Sequence, residues 1–133
     1  MEYIVGALSA VVLVIFGKVS GFDRDRSFYP TVLIVIGFLY VLFGALDGRA
    51  SVVLIELASA LVFSAVAIFG YRKSCLIVAA GIAAHGVFDF VRQFFIEDRG
   101  GPVWWPGFCG TIDILLGLLI AYFVCRRRPA VVA

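Results

Sequence analysis

Five continuous apolar runs occupy most of this 133-residue chain, and they constrain the fold more than any single motif. A run of about 20 apolar residues spans a ~30 Å hydrocarbon core as a helix. The chain is 63% hydrophobic and 15% charged, with a mean hydropathy of +1.10. Soluble domains are roughly half apolar and about a quarter charged. A transmembrane barrel would show short strands alternating apolar and polar residues. The runs here are unbroken, so the expected fold class is all-α: a polytopic transmembrane bundle of five helices in one domain, 1–133, with no soluble domain and no internal repeat.

The helices are expected at about 4–19, 29–46, 51–70, 75–95 and 105–125. The first is short, and Lys18 can extend it by snorkelling to the interface. Met1-Glu2-Tyr3 lacks the positive n-region of a signal peptide, so this segment is expected to be a retained helix. Pro30 suits the first turn of the second helix, where its missing N–H costs nothing. Asp47-Gly48-Arg49 is a turn signal. Trp104 and Trp105 stand where an aromatic belt belongs, and as candidate binding residues they could contact a ligand or lipid. Gly37, Gly44, Gly81 and Gly117 are expected to permit close helix packing.

Orientation follows from counting basic residues. Eight lie on the side of the first loop, the third loop and the C-terminus: Lys18, Arg24, Arg26, Arg72, Lys73, Arg126, Arg127 and Arg128. Three lie on the other side: Arg49, Arg92 and Arg99. The positive-inside rule then predicts an inner-membrane, multi-pass protein with its N-terminus outside and its C-terminus in the cytoplasm. No basic patch interleaved with aromatics suggests nucleic acid. Cys75, Cys109 and Cys125 have no CxxC spacing, and their odd count and wide separation argue against a disulfide framework.

Against this background the ionisable residues inside the runs are conspicuous, because such groups are costly at bilayer depth. His85, Asp89 and Arg92 follow a spacing of four and then three, which puts them on one helix face. Glu56 and Asp113 lie in two other runs. At about 1.5 Å per residue, Asp89 is expected roughly 9 Å and His85 roughly 15 Å below the outer helix end. Glu56 and Asp113 also fall in the outer half, so the four are candidate catalytic or proton-transferring residues of one site. His85, Asp89 and Asp113 form a mixed nitrogen–oxygen set suited to a divalent metal, or to acid–base work. Glu56 is expected to be the most distant member, oriented by Ser59. Arg92 could neutralise Asp89 or bind an anionic head group. The plainer reading is a polar stripe that glues helices together. Cys109, four residues before Asp113, reads as a packing residue.

Three motifs, Asp25-Arg26-Ser27-Phe28-Tyr29-Pro30-Thr31, His85-Gly86-Val87-Phe88-Asp89 and Gly101-Pro102-Val103-Trp104-Trp105-Pro106-Gly107-Phe108-Cys109, together resemble a family of small bacterial integral membrane proteins without an assigned activity. The resemblance runs from the first loop to the fifth helix and implies a fold but no reaction. In that family a second His follows the Asp by three residues. Here Arg92 stands there, a departure that weakens a metal reading. A looser similarity to intramembrane hydrolases and carotenoid-cleaving membrane enzymes rests on the short His/Asp motif alone. Small multidrug transporters carry their membrane Glu in the first of four spans, unlike Glu56.

Three functions are compatible with these residues. One is an enzyme-like site acting on a lipid or apolar small molecule. The second is a proton- or ion-coupled carrier. The third is an accessory subunit with the polar stripe buried against a partner. Expected partners are membrane lipids and a second copy or another membrane protein.

Overall fold

The long apolar runs fold as helices because a chain in hydrocarbon must satisfy its backbone polar groups internally. The computed structural model describes residues 1–96 and 100–127. Glu97, Asp98 and Arg99 of the fourth loop, and Arg128 of the terminal cluster, lie outside the described residues.

Among the described residues there are five α-helices and no strand: α1 (Glu2–Ser20), α2 (Phe28–Asp47), α3 (Ala50–Lys73), α4 (Cys75–Arg92) and α5 (Trp105–Phe123). All five are long and apolar enough to cross a membrane. Their outward faces carry large apolar side chains such as Ile4, Val12, Leu54, Leu61 and Leu118, each at least 60% exposed except Leu61 at 56%. Such faces suit lipid.

Two helix ends differ from the sequence expectation. Helix α3 continues through Tyr71, Arg72 and Lys73, where basic residues complement the carbonyl end of the helix dipole. A single extended residue, Ser74, then turns the chain, and its Oγ caps α4 by accepting from the Leu76 N–H at 3.2 Å. Helix α4 stops at Arg92 rather than at residue 95, and Phe94 and Phe95 are largely exposed beyond it. The α2–α3 turn is closed by Gly48 at φ 87°, whose N–H bonds to the Gly44 carbonyl. A left-handed residue at this position favours glycine.

Helix α5 packs against α4 on one side and α1 on the other, while α2 packs against α3 and α3 against α4. Small residues set the α4–α5 distance. A Cβ on Gly86 would stand 2.8 Å from the Gly110 carbonyl oxygen, and one on Gly117 would stand 2.6 Å from the Ala79 oxygen. Only glycine lets these backbones approach so closely.

The interior is divided along the bundle axis. Near the C-terminal end it is apolar, built from Val14, Tyr29, Leu33, Ile82, Leu116 and Ile120 among others. Near the N-terminal end the buried residues include Glu56, His85, Asp89, Arg92 and Asp113. The apolar end is also cross-linked. Cys75, at the start of α4, forms a disulfide with Cys125, just after α5, across 50 residues of sequence. This overturns the expectation of no disulfide: antiparallel packing of α4 and α5 returns the chain to its starting level, whatever the spacing in sequence.

Candidate functional site

Among the described residues, the five buried acidic, basic and histidine residues come from three helices and fall into two groups. The first group is formed by α4 and α5. His85 and Asp89, one turn apart on α4, face Asp113 on α5. His85 Nδ1 lies 2.8 Å from an Asp113 carboxylate oxygen and 3.5 Å from one of Asp89. The three residues offer ligand atoms all within 4.8 Å of one another, and all three are buried. The expected convergence of His85, Asp89 and Asp113 is therefore present.

The second group is an ion pair between Arg92 on α4 and Glu56 on α3. Arg92 was expected to serve Asp89, one turn away on the same helix. The partner found for it is Glu56, because packing of α3 on α4 brings a carboxylate to the guanidinium. Glu56 is accordingly not a fourth member around His85. Ser59 does not orient Glu56 either; its hydroxyl donates to the Ile55 carbonyl at 3.0 Å. The Arg92 side chain turns into the protein at 3% exposure, away from the head groups it was expected to reach.

Tyr40 on α2 joins the two groups. Its ring lies under the Arg92 guanidinium, 4.0 Å from the centroid, a cation–π contact. Its hydroxyl lies next to Asp89 without completing a hydrogen bond to it. Sequence reasoning missed this residue. The available signal was a tyrosine inside a span, away from the interfacial belt, flanked at helical spacing by Gly37 and Gly44 on the same buried stripe. Aromatic rings close the space around His85: Phe63 edge-on at 4.6 Å, Phe88 at 5.9 Å and Tyr40 at 6.1 Å between centroids.

The other sequence candidates lie further out. Trp105 meets Phe43 edge-on at 4.9 Å. Trp104 is 51% exposed and helps line an apolar groove of about 480 Å³ with Met1, Glu2, Val5 and Phe108. Cys109 is buried and carries a free thiol, yet its sulfur is not among the three clustered ligand atoms.

The geometry has a chemical consequence. The two carboxylates of the cluster compete for the Nδ1 of His85, and Asp113 stands at the shorter distance. Asp89 is 0% exposed, and neither of its oxygens has a hydrogen-bond partner. Buried carboxylates are normally bonded to donors, because removing them from water is costly. Across both groups, three carboxylates face one guanidinium and one imidazole. With all three carboxylates ionised, the set is one positive charge short even when His85 is charged.

Fold and site together define a multi-pass helical membrane protein with a buried His/Asp cluster. No family model, curated protein or solved structure matches the chain.

Proposed function

We propose that this protein is a proton- or ion-coupled membrane carrier, and that the His85–Asp89–Asp113 cluster is where the coupling charge binds. The observation that carries the reading is the unsatisfied, wholly buried Asp89 in a cluster that lacks a positive charge. An enclosed site of this kind suits a proton or a small cation, which needs no wide entrance. The enzyme-like reading needs room for a lipid beside the catalytic groups, and the groove lined by Trp104 and Phe108 lies at α1 and the start of α5 instead. In the accessory-subunit reading the polar residues would meet a partner, whereas here they meet one another.

The test uses purified protein in proteoliposomes adsorbed on a solid-supported membrane. A rapid jump in pH or in cation concentration should produce a transient charge-displacement current, even without a transported substrate. Asp113→Asn should remove most of that current while the protein stays folded by circular dichroism. Absence of any current from wild-type protein would sink the carrier reading.

For orientation, the proposal follows the basic residues: N-terminus outside, C-terminus in the cytoplasm of a bacterial inner membrane, and the cluster in the outer half. The Cys75–Cys125 disulfide pulls the other way, since it sits at the arginine-rich end and disulfides persist in oxidising compartments. Alkaline-phosphatase and fluorescent-protein fusions at Ala133 decide between the two. Fluorescence is expected, and phosphatase activity would reverse the orientation.

A further inference from the structure

The missing positive charge has an identity that the ligand chemistry narrows. We infer that His85, Asp89 and Asp113 bind one first-row divalent transition-metal ion, with His85 as a neutral nitrogen ligand and the two aspartates as oxygen ligands. This deepens the carrier reading and rests on it for the role of the ion, although binding itself is measurable independently.

Three observations lead there. The first is charge. With His85 neutral, as a metal ligand must be, three buried carboxylates face the single Arg92 guanidinium, and the deficit is two positive charges. One divalent cation closes it. A monovalent ion closes it only together with a proton on His85 or on one of the carboxylates.

The second is distance. An ion bonded at about 2.1 Å keeps neighbouring ligand atoms roughly 3–3.5 Å apart. His85 Nδ1 already stands 2.8 Å from Asp113 and 3.5 Å from Asp89. All three ligand atoms fall within 4.8 Å, so closing the set needs only side-chain rotation. The Asp89 oxygens supply the independent sign of a missing ligand: they are buried beside His85, whose nitrogen stands 3.5 Å away, and no hydrogen bond to either of them is complete.

The third is the donor set. Magnesium and calcium favour oxygen alone, and an imidazole in the set turns preference toward zinc, manganese or iron. A thiolate would favour zinc or monovalent copper, but the Cys109 sulfur is outside the group of ligand atoms. Around the set, Tyr40 stands beside Asp89 and can hold it by its hydroxyl, as outer residues commonly do for metal ligands. Asp89 lies three residues from the last residue of α4, about 5 Å along the axis. An ion therefore has little depth to cross.

The experiment is metal binding by the full chain in nanodiscs. Protein stripped with a chelator is equilibrated separately with Zn²⁺, Mn²⁺ and Mg²⁺, freed of excess metal and analysed by mass spectrometry. One equivalent of Zn²⁺ or Mn²⁺ per chain is expected, with little Mg²⁺ retained. Asp113→Asn should reduce retention at least tenfold, whereas Cys109→Ser should leave it unchanged. Should Asp113→Asn fail to fold, Co²⁺ loading of wild-type protein gives a second readout: visible d–d bands without the near-ultraviolet charge-transfer band of a thiolate. No stoichiometric metal, or a thiolate band, overturns the inference. If metal is absent but a pH jump still drives charge displacement, the carrier reading survives with protons as its ion. If both are absent, both fail.

Discussion

Two polar groups sit a turn or two apart in the same half of the bundle, and they solve burial in different ways. Glu56 and Arg92 form a one-to-one pair of opposite charges drawn from facing helices. The Tyr40 ring covers the guanidinium. Nothing further is needed for neutrality. His85, Asp89 and Asp113 are crowded as closely, yet there two carboxylates share one imidazole nitrogen, so ionised acids outnumber the positive charge available to them. A structural contact can be closed in the manner of the pair. A site that takes up a charge must remain open in the manner of the cluster. Ionisable groups inside membrane spans mark functional sites by default, and this contrast assigns that role to one group rather than to all five residues.

The largest expected effect breaks the pair. Arg92→Leu leaves the Glu56 carboxylate buried and unpaired, and one-sided removal of a buried ion-pair partner costs about 3–5 kcal/mol. Thermal unfolding in detergent should therefore fall steeply, or folded protein should not be recovered. The double variant Glu56→Leu with Arg92→Leu removes both charges and should regain most of the loss. If the two single losses simply add in the double variant, Glu56 and Arg92 are not a pair, and the division of the site into two groups collapses.

The site was partly legible in the sequence because burying charge in a membrane leaves a mark that composition cannot hide. Long uncharged runs gave away the five spans, and any ionisable residue inside them stood out. Spacing along α4 correctly put His85 and Asp89 on one face, and depth counting brought Asp113 to their level. What failed were inferences about neighbours. The three-residue spacing suggested Arg92 for Asp89, but spacing within one helix cannot show that α3 brings Glu56 to the same place. Tyr40 escaped notice because a hydroxyl on an aromatic ring hardly interrupts an apolar run. The Cys75–Cys125 bond joins residues whose nearness depends on how α4 and α5 pair, and that pairing is set by Gly86, Gly110 and Gly117, whose meaning appears only when the two backbones meet. The end of α3 was missed by three residues for a related reason: Ser74 caps and turns in one step, which a polarity pattern reads as a longer loop.

The smallest expected effect sharpens the comparison most. Asp89→Asn replaces a buried carboxylate with an amide of nearly the same shape. In the pair, loss of one charge strands the other. In the cluster, loss of this charge strands nothing, because His85 retains its shorter contact to Asp113 at 2.8 Å. The amide also brings two donors to a place where none reaches the present carboxylate. Removing an uncompensated charge from a low-dielectric interior is favourable on its own. In chelator-stripped protein, Asp89→Asn should therefore lie within about 1 kcal/mol of wild type, or above it. Added metal should raise the wild-type unfolding temperature and leave the variant where it was. A loss as large as that of Arg92→Leu would mean that Asp89 already has its counter-charge within the protein. The cluster would then be a second closed contact, and the case for a bound ion would go with it.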